Sequence, residues 1–324
     1  MDARSNPELA EETGLADKEV FATRLLAAPR ELVWAVWTDT AHLEQWWGPV
    51  GFTTTTQHAE MKPGGQWRFV MHGPDGTDYG NLIDFVAVEP PSRLAYEHRG
   101  EGDTKDISFL VEVIFAEEAG GTRLTMRLRF PSNEARDFVI EKHGAFEGLM
   151  ETMGRLRDHL TTLRGFTVTR TFDAPRELVW RAHTEAKHLA RWWGPKGFET
   201  TVARFELRPG GMFLYRMASA GGQVMWGRFI YRDIAAPGRL AFVLSFSDES
   251  GGITRAPFDA DWPLETLTVI TLTGQDGRTV LTLRAWPLGA SETERQAYLA
   301  GFKSMDGGFN ASFDVLGDYL KRIR

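Results

Sequence analysis

The chain has 324 residues, 42% of them apolar and 25% charged, which at roughly 150 residues per domain suits two ordinary globular domains rather than one or three. A formal net charge of −7 argues against a protein whose main work is gripping nucleic acid, since that needs a basic field. The absence of cysteine excludes disulfide frameworks, thiolate nucleophiles and cysteine-ligated metal sites, and no run approaches the ~20 apolar residues of a membrane span.

Residues 1–18 carry Asp2, Glu8, Glu11, Glu12 and Asp17 and no apolar core segment. That is not a secretory signal, so they read as a flexible N-terminal segment of a cytoplasmic protein. Val20 to Leu26 alternates as a strand. Ala28-Pro29 puts proline where a helix begins, and Leu32, Val33, Val36 and Trp37 follow at helical spacing. Thr38-Asp39 ends that helix and caps a second short one, which stops at Gly48-Pro49. From there the period falls to two: Pro63-Gly64-Gly65 is a turn, and Trp67, Phe69 and Met71 share one face of a strand. Further strands are predicted around 80–88, 94–98, 107–115 and 122–130. In the last, Leu124, Met126, Leu128 and Phe130 point one way while Arg123, Thr125, Arg127 and Arg129 point the other, so the sheet has one buried and one wet face. A helix over 138–162 closes the unit, its stripe Leu149, Met153, Leu156 and Leu160 lying on one helical face.

The same order then repeats. Ala28-Pro-Arg-Glu-Leu-Val-Trp34 recurs as Ala174-Pro-Arg-Glu-Leu-Val-Trp180, 146 residues on. At that offset Trp46-Trp47-Gly48-Pro49 matches Trp192-Trp193-Gly194-Pro195, and Pro63-Gly64-Gly65 matches Pro209-Gly210-Gly211. A second closing helix is predicted over 293–322, at an offset that has grown to 160 through an insertion near 247–266. Internal repetition therefore sets the organisation: domain 1 over 19–164 and domain 2 over 165–324. One long amphipathic helix and one buried sheet face per unit predict an α+β fold in which a curved antiparallel sheet wraps that helix.

This order of elements, with Ala-Pro-Arg-Glu-Leu-Val-Trp, Trp-Trp-Gly-Pro and Pro-Gly-Gly at these spacings, resembles the family named after the activator of Hsp90 ATPase. That family belongs to the START/Bet v 1-like helix-grip superfamily, which also holds polyketide cyclases and aromatases. The resemblance covers residues 20–322 and implies two tandem helix-grip domains, each with an internal cavity for a hydrophobic small molecule.

The inward residues expected to line the first cavity are Trp67, Phe69, Met71, Tyr96, His98 and Met126, with Leu149 and Met153 from the helix. In the second unit they are Phe213, Tyr215, Met217, Phe242, Leu244, Leu283, Phe309 and Phe313. A solid core is the competing reading of both sets, because binding cavities are themselves mostly apolar. His98 is the sharpest of them, a histidine on an apolar face beside Tyr96, replaced by Leu244 in the second unit. The insertion Ser247–Thr266 carries Phe258 and Trp262 among glycines and prolines, the composition of a lid over the second cavity, although an interface is an equal reading. The tryptophan pairs, with His42 and His188 one turn earlier, read as scaffold.

Signatures of metal hydrolases, nucleophile elbows and phosphate loops are missing, and no metal or cofactor is expected. The first expectation is thus binding of a hydrophobic or aromatic small molecule. The second is a cyclase, dehydratase or hydrolase acting through His98, Tyr96 or Tyr215. The third is a chaperone-associated protein-binding module.

Overall fold

A computed structural model describes residues 12–101, 107–118 and 121–324. The chain divides into two compact units, Met1–Leu163 and Arg164–Arg324. In unit 1, strands β1 (Glu12–Ala16) and β2 (Glu19–Leu26) precede two short helices, α1 (Arg30–Thr38) and α2 (Thr40–Trp46). Strands β3 (Thr53–Ala59), β4 (Gln66–His72), β5 (Asp78–Glu89), β6 (Arg93–Gly100), β7 (Ser108–Glu118) and β8 (Gly121–Arg129) follow, then helices α3 (Asn133–His143) and α4 (Ala145–Thr162). The sheet runs β1-β2-β8-β7-β6-β5-β4-β3, antiparallel throughout.

Unit 2 repeats this without a counterpart of β1. It holds β9 (Phe166–Phe172), α5 (Arg176–Thr184), α6 (Ala186–Trp192), β10 (Phe198–Phe205), β11 (Met212–Ser219), β12 (Val224–Ala235) and β13 (Arg239–Ser247). After the insertion come β14 (Glu265–Gln275), β15 (Arg278–Leu288), α7 (Glu292–Ala300) and α8 (Phe302–Ile323). Its sheet runs β10-β11-β12-β13-β14-β15-β9. Both units are thus α+β helix-grip arrangements.

The local causes are readable. Pro29 caps α1, its carbonyl accepting from Leu32 and Val33. Asp39 caps α2 by accepting from the Ala41 amide at 2.9 Å, one of the free donors every helix start leaves. The Pro-Gly-Gly turns need their last glycine, because a Cβ on Gly65 or Gly211 would sit 2.2 Å from the carbonyl oxygen of Glu60 or Glu206. Trp46 and Trp192 are fully buried and donate to the carbonyls of Val36 (3.2 Å) and Ala182 (2.8 Å), tying each second helix to the first.

Four expectations need correction. Glu12–Ala16, inside the segment read as flexible, pairs as β1 along β2; residues 1–11 lie outside the described ones. The closing helix of unit 1 is two helices, broken at Gly144 in a left-handed conformation (φ 58°), and α7 and α8 meet at Gly301. The stripe nevertheless stays on one piece, since Leu149, Met153, Leu156 and Leu160 are all buried on α4. The single wet face holds in unit 1, where Arg127 and Arg129 are exposed, but not in unit 2. There Ala241 and Val243 are as buried as Leu240 and Phe242 on the opposite face of β13. Part of that outer cover is the insertion, whose Gly251 lies against Met212 and Leu214 and accepts from Arg228 at 2.7 Å.

Candidate functional site

The inner face of unit 1 is built from cross-strand pairs. Trp67 opposes Ile83 and Phe69 opposes Asn81 between β4 and β5; His98 opposes Ile83 and Tyr96 opposes Phe85 between β5 and β6. Residues paired across a strand share a face, so these side chains form one layer. Trp67, Phe69, Tyr96, Met126, Leu149 and Met153 are buried, and Met71 is half-buried. Trp67 stacks on Phe69 with ring centroids 3.9 Å apart, and Trp47 meets Trp67 edge-on at 5.0 Å. Most of the predicted set is therefore brought together, as an aromatic layer.

Three polar side chains, Asn81, His98 and Tyr96, interrupt it. The Asn81 amide donates to the Tyr79 carbonyl at 2.8 Å, which turns its oxygen toward His98 Nε2, 2.9 Å away. That orientation assigns the proton of His98 to Nε2 and leaves Nδ1 as an acceptor. The ring lies against Phe109 at 4.9 Å, and burial lowers its pKa to about 4, so the imidazole is neutral at pH 7. Two residues before it, Tyr96 is 1% exposed and its hydroxyl has no hydrogen-bond partner among the described residues. Burial alone pushes that phenol well above its ordinary range.

Unit 2 carries the same layer with its polar groups redistributed. Phe213, Tyr215, Phe242, Leu283 and Phe313 are buried, while Met217, Leu244 and Phe309 are partly buried against them. The trio Phe69, Asn81 and His98 becomes Tyr215, Gly227 and Leu244. A Cβ on Gly227 would fall 2.4 Å from the Tyr215 hydroxyl, so that hydroxyl occupies the room which an asparagine fills in unit 1. Burial raises the Tyr215 phenol, a hydrogen bond from Trp193 opposes it, and the phenol stands at about 12.

The tyrosine that answers Tyr96 in unit 2 was missed in the sequence. The pair Phe85 and Tyr96 becomes Tyr231 and Phe242, moving the hydroxyl to the neighbouring strand. Tyr231 is 1% exposed, and its hydroxyl again has no partner among the described residues. The offset of 146 links Phe85 to Tyr231, but only cross-strand register shows that the two tyrosines occupy opposite halves of one pair. Arg24 was also missed. It is buried opposite Leu124 and donates to the Thr23 carbonyl at 2.9 Å, whereas its counterpart Arg170 pairs with Asp314.

The insertion is not a free lid. Trp262 packs on Tyr298 at 5.3 Å, and Arg255 pairs with Glu294. Phe258 is 63% exposed and sits edge-on to Phe246 (5.5 Å) and Trp262 (5.6 Å), so it lies on the outside and lines no interior. The scaffold histidines link their helices to the terminal one: His42 Nδ1 is 3.0 Å from His159 Nε2, and His188 Nδ1 is 2.6 Å from the Tyr319 hydroxyl.

Other chemistry is limited. A hydroxyl–imidazole–carboxylate chain joins Thr55, His72 (3.0 Å) and Asp78 (2.6 Å), but the Asp78 side chain is 66% exposed and the chain is a solvated cross-strand ladder. A half-open cleft of about 720 Å³ in unit 2 lies between β9 and α8 and is lined by none of the predicted residues. Among the described residues no group of three or more histidines and carboxylates is placed to hold a metal, and no helix is long and apolar enough to cross a membrane.

Residues 27–161 and 173–321 each match the model of one family, described as activator of Hsp90 ATPase homolog 1-like protein. No curated protein matches the chain. Among solved structures, protein Ms6760 of Mycobacterium smegmatis is similar at 27% identity over 47% of this chain and 96% of its own, with a TM-score of 0.43. A Rhodobacter sphaeroides protein is similar at 29% identity over 48% of this chain and 99% of its own, with a TM-score of 0.43. DynU16, from the dynemicin biosynthetic locus, is similar at 18% identity over 94% of this chain and 100% of its own, with a TM-score of 0.35.

Proposed function

The chain belongs to the activator of Hsp90 ATPase homolog 1-like family, carrying its domain twice, and from that premise we propose that unit 1 binds an aromatic small molecule on its inner face. The observation that carries this reading is the Tyr96 hydroxyl, fully buried with no partner. A buried donor left unpaired costs about 1–3 kcal/mol, and buried polar groups are otherwise almost always paired. A ligand carbonyl or hydroxyl accepting from Tyr96 removes that cost. His98, whose Nε2 proton is taken by Asn81, offers its Nδ1 as a second polar group, an acceptor, two positions along the strand. The aromatic layer of Trp67 and Phe69 supplies the apolar contact that orients a flat ring. Unit 2, with Tyr231 in place of Tyr96 and Leu244 in place of His98, is proposed to take a ligand with one polar handle rather than two.

The neutral state of these groups favours binding over acid–base chemistry. His98 is held at about 4 and Tyr215 at about 12, and Tyr96 lies above its usual range. At pH 7 all three are hydrogen-bond partners, far from the near-neutral values that suit proton transfer. The test is titration of the full chain with flavone, an aromatic carbonyl compound, followed by tryptophan fluorescence and thermal unfolding. A hundredfold excess over the dissociation constant stabilises the folded state by about 2.7 kcal/mol, and Tyr96→Phe should weaken binding roughly fivefold. Recovery of a chemically altered ligand would transfer the reading to catalysis. Equal binding by wild type and a Tyr96→Phe, Tyr231→Phe double variant would overturn it.

A further inference from the structure

The four ends of the two sheets are finished differently. Exposed strand edges template unwanted pairing, so proteins cover them, bulge them or charge them. In unit 1, β1 covers β2, and β3 is interrupted by a bulge between Thr56 and His58. In unit 2, β10 carries the matching bulge between Val202 and Arg204. The fourth end, β9, has neither cover nor bulge, and its one charge, Arg170, is paired with Asp314. It pairs with β15 in unbroken register from Ala285↔Phe166 to Thr279↔Phe172, and among the described residues no strand pairs with its other side. Nor can a covering hairpin precede it, since α4 ends at Thr162 and only three residues separate that helix from Phe166.

We propose that this edge of β9 pairs with the same edge of a second copy of the chain, antiparallel about a two-fold axis through Thr169. The residues suit such a partner. Thr167, Thr169 and Thr171 are exposed along one face, and in this register Thr169 meets itself while Thr167 meets Thr171, giving a threonine ladder of a kind that stabilises paired strands. Arg170, the charged residue of β9, falls opposite Val168 rather than its own copy. The cleft beside the edge, about 720 Å³, presents Arg170, Lys196, Lys321 and Arg322 against Asp173, Asp314 and Asp318. A foreign peptide of one charge sign would meet repulsion there. A two-fold contact requires a self-complementary surface, and mixed signs supply it.

The chain has no cysteine, so Thr169→Cys places a single thiol on the proposed axis. Directly opposed residues of an antiparallel pair have Cα atoms about 4.5–5.5 Å apart, within disulfide reach. Mild oxidation should give a covalent dimer of Thr169→Cys and not of Thr201→Cys, an exposed control on β10. In sedimentation from about 1 to 100 µM, the range that resolves a micromolar association, wild type should dimerise. Thr169→Lys and Thr169→Glu should each weaken the dimer roughly tenfold or more through like charges opposed at the axis, and an equimolar mixture of the two should restore it. At concentrations low enough for wild type to be monomeric, each variant should keep the wild-type melting temperature, because Thr169 is exposed. The proposal is overturned by a wild-type monomer throughout, by a dimer that neither charge moves, or by a monomer that retains a foreign extended peptide.

Discussion

Removing the Tyr96 hydroxyl should make the ligand-free protein more stable. Tyr96→Phe keeps the ring that packs 6.0 Å from Phe85 and deletes one oxygen, which is fully buried and unpartnered. An unpaired buried polar group costs about 1–3 kcal/mol, and an apolar replacement of the same shape recovers it. The expected gain is about 1–2 kcal/mol, or roughly 2–8 °C in melting temperature for a domain of this size. Tyr231→Phe should gain as much, and the double variant should show the sum, because the sites lie in different units and share no partner. Tyr215→Phe is the control with the opposite sign. Its hydroxyl is held by Trp193, so its loss should cost about 0.5–1.5 kcal/mol. Urea unfolding at constant slope, checked by calorimetry, measures all four. Loss of more than about 0.5 kcal/mol in Tyr96→Phe would show that the native hydroxyl is satisfied, and the argument from its isolation would collapse. A gain in Tyr215→Phe equal to that of the other two would show that partnership is not what sets the sign.

Stability should fall as pH drops from about 6.5 toward 4. Burial holds His98 and His183 at about 4, so in that window the unfolded chain binds protons which the native chain refuses. The contribution is complete above the unfolded value and is lost across the window, by about 3 kcal/mol per histidine at most; NMR titration of either ring above pH 6 would refute it. Gly211→Ala should cost several kcal/mol, since its Cβ would meet the Glu206 carbonyl at 2.2 Å and the backbone must move. A denaturation midpoint within experimental error of wild type would contradict that geometry. Trp262→Ala should free the insertion from Tyr298 and raise proteolysis between Asp248 and Leu264, and an unchanged cleavage pattern would count against Trp262 as the anchor.

How much was legible depends on whether the signal was local. The repeat, the strand–helix order and the stripe of α4 follow from spacing along the chain, and the tryptophan pairs follow from size, since so large a side chain is buried on average and needs one partner for its N–H. The helix breaks were hidden because the apolar period of α4 survives intact beyond Gly144. β1 was hidden because its five residues, Glu-Thr-Gly-Leu-Ala, have no strand period of their own, and its pairing along β2 is a tertiary fact. Burial on both faces of β13 was legible in the unbroken apolar run Leu240–Leu244, the pattern of a strand covered on both sides, but the single-face rule was drawn from the alternation of unit 1. Tyr231 was passed over because its importance lies in a cross-strand pairing, a non-local fact.

The duplication turns the two units into an internal control on what the polar groups are for. In the trio Phe69, Asn81 and His98, every polar change is compensated. Asn81 satisfies His98 in unit 1, and where both are gone, Tyr215 fills the space and is satisfied by Trp193. That is the behaviour of a core that keeps its polar groups paired. The neighbouring pair behaves otherwise. The hydroxyl has crossed from β6 to the strand equivalent to β5, Tyr96 giving way to Phe242 and Phe85 to Tyr231, and in both arrangements it is buried and unpartnered. Either position accepts phenylalanine, since each unit has one there, so packing alone does not demand a tyrosine. Two divergent copies each keeping a buried hydroxyl without a partner among the described residues, at a cost of about 1–3 kcal/mol and at one level of the inner face, is the observation on which the proposed ligand site rests, and the stability of the phenylalanine variants tests it.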